Sequence, residues 1–473
     1  MTKDIIAEMD DNALSIESVD SASDMTSLSD DRINDIIEQL ALDDKAIAKR
    51  IFQDDLTAQE TADFLSKITQ EERKEYLEKY PEYIQVESYA HLNDDLLKNA
   101  LDTLSASDVS YIIRDLDSDD ALEIITILDE ERQAQIIKKL SKRTRLVLEE
   151  GLSFEEDSAG RLMQRELVSV PQFWTVGKTV DYLRAAKDEL PNEFFDIVII
   201  DPTYHVVGEV PLNKLICANR SEKVEDLMLE SPHPIPVNMD QEDVAKIFQR
   251  EDLSSAPVVD EDNRLIGMIT VDDVIDVIQE EAQEDILKMA GVDGQGDLYR
   301  AILSTTKSRF SWLFINLLTA IAASLVIGLF EATIQEVVAL AILMPIVASM
   351  GGNAGTQALT VAVRAIATDE ISDRNALRVI GKESVVGLLN GIAFAIIAGS
   401  VTAFWFNNHV LGIVIGMAMI VNLITAGFFG SMIPILLNKM KQDPALASTV
   451  VLTTLTDIIG FMAFLGLAAF FLI

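Results

Sequence analysis

The last stretch of the chain, PALASTVVLTTLTDIIGFMAFLGLAAFFLI (residues 444–473), is long and apolar enough to cross a bilayer as one helix. One carboxylate, Asp457, stands near its middle, and Thr453, Thr454 and Thr456 come just before it. An acid at the centre of a membrane helix costs about 3 kcal/mol on insertion scales. The stretch therefore predicts a membrane-spanning helix, with Asp457 as a candidate functional residue.

Four further apolar segments precede this one. The predicted spans are residues 310–330, 337–366, 385–406, 411–437 and 445–472. Lys and Arg occur before the first span, between the second and third, and between the fourth and fifth, whereas the other two connectors have neither. The positive-inside rule then predicts a multi-pass protein of the plasma (inner) membrane, in contact with lipid, with a cytoplasmic amino-terminal part and an extracytoplasmic carboxy terminus.

The charge of the chain is strongly uneven. Of 38 Lys and Arg and 77 Asp and Glu, residues 1–300 hold 30 and 69, which accounts for the whole net charge of −39. This acidity argues against a nucleic-acid partner and against docking on anionic lipid, and it favours bound cations, although a solubilising surface explains most of the acids. One Cys and four His exclude a Cys-based metal site and leave little room for zinc. The sequence shows no catalytic constellation, so no enzyme is predicted.

A twelve-residue repeat occupies the amino-terminal region. Leu104, Leu116, Leu128 and Leu140 recur at this spacing, each followed by a polar residue of the type that caps helices. The repeat predicts short helices stacked into a small superhelix, because no single unit could bury its apolar stripe alone. Four acids crowd one corner of it at 115–120; helix capping and solubility explain them, and a cation site shared with another domain is the alternative. Residues 1–30, acidic and Ser-rich, are predicted to be disordered.

Two later segments resemble each other. Residues 194–216 and 254–278 each contain an apolar strand ending in Asp, a turn, a second strand with Gly seven residues after that Asp, and a helix. The pattern resembles a tandem pair of CBS motifs, the regulatory module of cystathionine β-synthase. Such pairs usually sense a ligand, often an adenine nucleotide. ATP is therefore a candidate ligand, but no residue set in this sequence commits to it.

A long acidic helix is predicted directly after the second copy, over residues 271–289. It has no basic residue before Lys288 and carries two acidic strips, one of Asp276, Glu280 and Glu284 and the other of Asp273, Glu281 and Asp285. Like charges four residues apart destabilise a helix by a few tenths of a kcal/mol each. A solubilising role is the alternative to a regulatory one, but the helix leads from the sensor-like module to the membrane. Gly291, Gly294 and Gly296 then predict a flexible joint.

The second span has an irregular composition. Pro345 and the Gly-rich run 351–355 predict a break or kink near mid-depth. Irregular backbone persists in a membrane only where it is buried in protein or lines a wet cavity. With Asn353, Thr356 and Gln357 close by, these residues favour a pore-lining segment. A Gly-rich surface for helix packing is the alternative.

Three distinctive motifs occur in the apolar carboxy-terminal part: PIVASMGGNAGTQA (345–358), ITAGFFGSMIPILLNKM (424–440) and DPALASTVVLTTLTDIIGF (443–461). With the order of the parts, they resemble the MgtE family of magnesium channels or transporters. The resemblance implies a homodimer with a pore between ten helices, closed when cytosolic Mg²⁺ fills acidic sites. It also implies a multidomain fold: a superhelical α-helical domain (31–157), an α/β tandem CBS domain (158–278), a connecting plug helix and linker (279–300), and an all-α five-helix transmembrane domain (301–473).

The same resemblance assigns metal ligands. It implies a selectivity carboxylate at Asp457 and an acidic site at the cytosolic pore mouth at Asp443. It implies a further acid of the amino-terminal domain among residues 117–120, with Asp119 as the candidate. The implied regulatory ligands of the CBS domain and plug helix are Asp252, Asp273, Asp276, Glu281, Glu284 and Asp285.

The sequence therefore predicts a Mg²⁺-selective channel or transporter in which Mg²⁺ is both the transported and the regulatory ion. Mg²⁺ prefers octahedral oxygen ligands and keeps most of its water, so one Asp per subunit of a dimer suits it. One alternative is a carrier for another divalent cation, Mn²⁺ or Co²⁺. A second is a CBS-containing nucleotide-sensing receptor that transports nothing, which leaves Asp457 unexplained. Proton- or sodium-coupled carriage would need further membrane acids, and the other candidates lie at span ends.

Overall fold

The computed structural model describes residues 27–187, 190–191, 194–229, 233–292, 302–445 and 448–472. Most of the predicted disordered tail, and Gly294 and Gly296 of the predicted joint, lie outside these residues. The chain forms two compact units, Met1–Ile278 and Gln279–Ile473.

Short helices build the first part of the amino-terminal unit. They are α1 (Asp30–Leu40), α2 (Lys45–Arg50), α3 (Ala58–Lys67), α4 (Gln70–Lys79), α5 (Glu87–Ala90), α6 (Asp94–Thr103), α7 (Ala106–Asp115), α8 (Ser118–Ile127), α9 (Glu130–Ile137) and α10 (Lys142–Gly151). A single π turn, Ile51–Asp55, follows α2. Their apolar faces meet in one core that runs from Leu28 to Leu148.

The twelve-residue repeat sets the helix boundaries. Helices α6 to α10 begin at residues 94, 106, 118, 130 and 142, twelve apart, and the repeated leucines lie at or just beyond the helix ends. Helix α8 packs between α6 and α10, and α7 packs on α9, so the helices stack as the repeat predicts. Asn93, Ser105, Asp129 and Ser141 each accept a main-chain hydrogen bond as helix caps. Asp117 occupies the same position and makes no capping bond, so capping does not explain this acid.

The two CBS copies have the same sheet topology. Strands β1 (Ser169–Pro171), β2 (Asp196–Ile200) and β3 (Val206–Pro211) form one sheet, and β4 (Ile235–Pro236), β5 (Ser255–Val259) and β6 (Leu265–Thr270) form the other. In each sheet the first pair is parallel and the second antiparallel, and the register shifts at the last residue of the middle strand. The associated helices are α11 (Ala159–Leu162), α12 (Val176–Ala185), α13 (Leu212–Cys217) and α14 (Gln241–Glu251). The duplication predicted from sequence is confirmed.

Two buried carboxyl groups lie on one face of the first sheet. Asp196 accepts a hydrogen bond of 2.7 Å from the Ser255 hydroxyl, which joins the two copies. Glu209 is only 2% exposed and accepts a hydrogen bond from the main-chain N–H of His233. Burial raises the pKa of Glu209 to about 7; the His233 N–H opposes this shift and the charge of Asp196 adds to it.

Helix α15 (Val271–Met289) leads out of the second CBS copy, and the following described helices are those of the membrane part. They are α16 (Ile302–Gly328), α17 (Glu331–Glu336), α18 (Ala339–Ala367), α19 (Ala376–Trp405), α20 (His409–Lys439) and α21 (Ser448–Leu472). Within the described residues, five of these are long and apolar enough to cross a membrane, and α17 is a short connector. The predicted fold class is confirmed: a multidomain membrane protein with an all-α five-helix transmembrane domain.

Helix α20 forms the centre of the membrane part and packs on α18, α19 and α21, while α16 packs on α21. Helices α16 and α19 begin eight and nine residues before the predicted spans, at Ile302 and Ala376. These first turns carry charged residues such as Lys307 and Lys382. Hydropathy reports the hydrocarbon-embedded length, so a helix that continues into the polar interface begins earlier than its apolar segment.

Candidate functional site

Asp457 lies in the middle of α21 and is partly buried. Among the described residues its carboxylate has neither a hydrogen-bond donor nor a basic partner. The hydroxyl groups before it are already used as donors to carbonyl groups of their own helix, from Thr453 to Thr449 at 2.9 Å and from Thr454 to Val450 at 2.6 Å. Such hydroxyls present only lone pairs to other groups. The site therefore offers acceptors, as a cation or its water shell requires.

A polar stripe on α18 is exposed within the protomer. Its members, Asn353, Thr356, Gln357 and Thr360, recur at helical spacing, and all are solvent-exposed when the chain is taken alone. Thr356 and Thr360 donate to the carbonyls of Gly352 and Thr356, so their free lone pairs also face outward. Exposed polar side chains are disfavoured against lipid. The stripe therefore fits a wet pore or a second protein surface.

Helix α18 is continuous from Ala339 to Ala367, with Pro345 inside it. Of the predicted break or kink, the break is wrong, and the kink stays a prediction. Pro345 has no main-chain N–H, so the Ala341 carbonyl one turn earlier loses its helical donor. Separately, Asn422 of α20 donates to the Val347 carbonyl at 2.7 Å. Gly351 and Gly355 of the same run face Asn422 and Leu452. Gly351 and Gly355 thus form a helix-packing surface, whereas Gly352 faces open space within the protomer and the polar residues form the outer stripe.

The role of Asn422 was not predicted from the sequence. This side chain is fully buried in α20, and a β-carbon at Gly351 of α18 or at Gly460 of α21 would collide with it. Its amide oxygen has no hydrogen-bond partner among the described residues. Asn422 thus joins three helices one turn beyond Asp457. An Asn within an apolar run, matched by glycines in two other runs, is the signal that could have found it.

Asp443, the predicted acid at the pore mouth, is held by a lysine. The Lys288 ammonium lies 2.7 Å from an Asp443 carboxylate oxygen and 2.6 Å from a Glu284 carboxylate oxygen. The other oxygen of Asp443 accepts the N–H of Ala445 at 2.8 Å. Burial alone would lower the pKa of Lys288, but hydrogen bonds from its ammonium to Asp443 and Glu284 outweigh burial and raise that pKa. The lysine therefore stays charged.

Gly291 ends α15 and is not a free joint. Its φ is +72°, its N–H bonds to the Lys288 carbonyl at 3.0 Å, and the N–H of Val292 bonds to the Leu287 carbonyl at 2.9 Å. This is a Schellman cap, which requires a left-handed residue at that position. A β-carbon there would overlap the indole of Trp312 in α16. The prediction of flexibility at Gly291 is therefore wrong.

Six carboxyl groups from the starts of α8 and α15 interact electrostatically in the amino-terminal unit. They are Asp117, Asp119, Asp120, Asp272, Asp273 and Asp276. Among the described residues none of them forms an ion pair with Lys or Arg, and His91 is the nearby base that acts on Asp120 and Asp276. The segment after α11 links α8 to the second CBS sheet, because the Ser118 hydroxyl of α8 donates to Glu166 at 2.7 Å and Arg165 donates to the Ile266 carbonyl of β6 at 2.6 Å.

Burial, and after it mutual repulsion, makes the ionisation of these carboxyl groups unfavourable. Burial, followed by the charge of Asp273, raises the pKa of Asp119 well above its ordinary value. Burial raises the pKa of Asp120 to about 6, with Asp117 adding to the shift. Burial raises the pKa of Asp273 to about 7, although a hydrogen bond from Thr270 opposes the shift. A bound cation would relieve this repulsion.

The candidate ligands do not all come together. No group of three or more acidic, His or Cys side chains in the described part of the chain has the geometry to hold a metal ion. Asp252 is exposed in the left-handed cap of α14, with φ +52°, apart from the six carboxyl groups. Glu281, Glu284 and Asp285 lie on the second half of α15, in the other compact unit.

Comparison with known proteins covers both units. Family models match at residues 344–467 (MgtE, divalent cation transporter), 56–157 (MgtE intracellular N domain) and 224–280 (CBS domain). The chain is 30% identical to the magnesium transporter MgtE of Bacillus subtilis over 89% of this chain and 93% of that one. The chain belongs to the MgtE family. The MgtE of Thermus thermophilus is 34% identical over 74% of this chain and 78% of the relative.

Among solved structures, the cytosolic domain of the Mg²⁺ channel MgtE in complex with ATP is 27% identical to the chain. The match covers 52% of this chain and 99% of the solved chain, with a TM-score of 0.48. Family membership and five apolar helices make this chain a multi-pass membrane protein. Its MgtE segment, 344–467, contains Asp457, Asn422 and the polar stripe of α18.

Proposed function

We propose that this chain is a Mg²⁺ channel or transporter whose conduction path passes Asp457. The observation that carries the proposal is the unpaired Asp457 carboxylate in the middle of an apolar helix of an MgtE-family chain. A membrane carboxylate without a protein partner is costly unless a cation or water satisfies it. The relatives that the chain matches are named magnesium transporters, which supports Mg²⁺ as the ion.

The uncovered polar stripe of α18 supports a homodimer as the working unit. A two-fold axis beside α18 and α21 would cover the stripe and bring two copies of Asp457 to one path. Mg²⁺ keeps several waters and binds through one or two carboxylates. Threonine lone pairs accept hydrogen bonds from those waters, so the ion can pass largely hydrated and leave again.

Regulation by cytosolic Mg²⁺ is the second part of the proposal. The repelling carboxyl groups of α8 and α15, including Asp119, Asp273 and Asp276, are suited to a divalent ion that bridges them. We assign Asp252, Glu281, Glu284 and Asp285 to the same ion-sensing function. Filled sites hold the soluble domains together and favour the closed pore, and empty sites allow repulsion to separate them. ATP binding at the CBS pair stays a prediction of the family resemblance.

The charge distribution of the connectors supports an orientation. Lys439 ends α20, Lys441 follows it in the connector that contains Asp443, and Lys307 and Arg309 precede the apolar part of α16. Positively charged connectors stay cytoplasmic. We therefore place both soluble domains in the cytoplasm, Asp443 at the cytosolic pore mouth and the carboxy terminus outside the plasma (inner) membrane.

Reconstitution tests transport directly. Purified protein in liposomes should admit Mg²⁺ down its gradient, and the rate should fall when Mg²⁺ is also present on the side of the soluble domains. Mn²⁺ and Co²⁺ at the same concentration measure selectivity, since the family model describes divalent cation transporters in general. If no divalent ion enters while the protein is folded and inserted, a nucleotide-sensing receptor replaces the proposal. Faster entry of Mn²⁺ or Co²⁺ would change the substrate.

Regulation predicts protection from protease. Millimolar Mg²⁺ should slow cleavage of the soluble half of the full-length protein, and Asp119→Asn combined with Asp273→Asn should remove that effect, because the bridging carboxylates are gone. A parallel arm with Asp252→Ala and Asp273→Ala tests Asp252. Asp102→Asn changes an exposed acid of α6 and serves as the control. Undiminished protection in the first double variant would contradict the assigned cluster.

A further inference from the structure

The end of α15 is attached to the membrane part by several independent contacts. The Thr449 hydroxyl of α21 donates to the Met289 carbonyl at 2.9 Å, two turns before Asp457. The Met289 side chain packs on a buried cluster that includes Leu359, Ile433 and Leu452. The cap at Gly291 lies against Trp312. The helix end is therefore a docked element beside the start of α21.

Lys288 lies at the centre of this docked end. Its ammonium is within 2.7 Å of both the Asp443 and the Glu284 carboxylates, and its side chain is 22% exposed. An ion pair with two charge-assisted hydrogen bonds and limited access to water is stronger than an exposed surface pair. Without the ammonium, two carboxylates would face each other at the same point. Lys288 thus supplies the positive charge that they need.

Asp443 and Glu284 are also proposed ligands for Mg²⁺, and the lysine reduces the number of carboxylate lone pairs that can coordinate the ion. A carboxylate oxygen that accepts from an ammonium at 2.7 Å does not at the same time coordinate a metal ion along that direction. A divalent ion that binds this Asp443 oxygen along the same direction must displace the lysine.

We propose that Lys288 is a tethered cation that occupies the Asp443–Glu284 site and latches α15 to the pore mouth without a metal ion. The inference rests on the proposed function for its role in gating, but the latch itself is a property of this ion pair. In this chain the contact at Asp443 persists at low Mg²⁺. Of the residues assigned above to ion sensing, Glu284 is then held by the lysine, and sensing is left to the carboxyl groups of the amino-terminal unit and to the rest of α15.

The latch is tested by cross-linking in the full-length, reconstituted protein. The single native cysteine is replaced (Cys217→Ser), Met289→Cys and Thr449→Cys are introduced, and a short bifunctional thiol reagent measures how often α15 is docked. With Lys288 present, cross-linking should be fast with and without Mg²⁺. Lys288→Met should slow it about five- to tenfold without Mg²⁺, as a coupling of 1–1.4 kcal/mol would, and added Mg²⁺ should restore it.

A charge swap and a control variant at another ion pair complete the test. Lys288→Asp combined with Asp443→Lys rebuilds the ion pair in reverse and should restore Mg²⁺-independent cross-linking. Lys439→Met breaks another 2.7 Å ion pair, with Asp373, and should change nothing. An unchanged rate in Lys288→Met overturns the latch, and so does a swap that fails to restore it. Liposome flux separately decides the proposed function, since cross-linking requires no transport.

Discussion

Asp457→Asn should lower Mg²⁺ flux into liposomes at least about 100-fold. Asparagine has nearly the same size as aspartate but no charge, so the variant removes the electrostatic attraction and leaves the packing of α21 unchanged. Loss of one member of a close charge pair typically costs 2–5 kcal/mol, and about 2.7 kcal/mol corresponds to a factor of about 100. In a dimer both carboxylates are lost together. The measurement is initial Mg²⁺ influx at equal amounts of inserted protein.

Two variants make this result specific. Asp457→Glu keeps the charge and should retain measurable flux, with altered preference among Mg²⁺, Mn²⁺ and Co²⁺ because the carboxylate is displaced by one methylene. Asp373 lies in the connector after α18, and its carboxylate pairs with Lys439. Asp373→Asn removes this carboxylate and should leave flux near the original rate. Undiminished Mg²⁺ flux in Asp457→Asn would show that the conduction path does not use this carboxylate.

Glu209→Gln should stabilise the CBS domain by about 3 kcal/mol at pH 8. The pKa of Glu209 is about 7 in the fold against an ordinary value of 4.5, and each unit of difference is worth about 1.4 kcal/mol. Glutamine has the size of the protonated acid and can still accept the His233 N–H. It therefore avoids the cost of a buried charge.

The pH dependence follows from the sign of this shift. Below pH 4.5 the carboxyl group is protonated in both the folded and unfolded states, so it costs nothing. Between pH 4.5 and 7 the unfolded state ionises first, and the original protein progressively loses stability relative to the variant. The difference in unfolding midpoint between Glu209→Gln and the original protein should therefore grow from pH 4.5 to 7 and then stay constant.

Glu261→Gln is the matched control, since this glutamate is exposed in the turn between β5 and β6. Its difference from the original protein should stay flat across the same pH range. A Glu209→Gln difference that is equally flat would show that Glu209 does not carry a raised pKa.

Much of the fold could be predicted because its signals are periodic. The twelve-residue repeat of leucine and cap residues predicts where α6 to α10 begin, since each helix needs one apolar stripe and one cap. The duplicated strand–turn–strand pattern predicts two equal sheets. Hydropathy predicts five membrane helices, but helix ends such as those of α16 and α19 extend beyond it, since hydrogen bonding continues into the polar interface.

The sequence alone determined the type of each element and marked Asp457, because a charge within an apolar run is visible without knowing its neighbours. Only the tertiary structure decided which side chains contact each other. Asn422 fits against glycines of two other helices, the acids of α8 meet those of α15, and Lys288 reaches Asp443, which lies far along the chain. Period and hydropathy are local properties, whereas the partner of a buried polar or charged group is set by packing between distant segments. For this reason the structure, and not the pattern of acids, assigns a lysine to the Asp443 carboxylate.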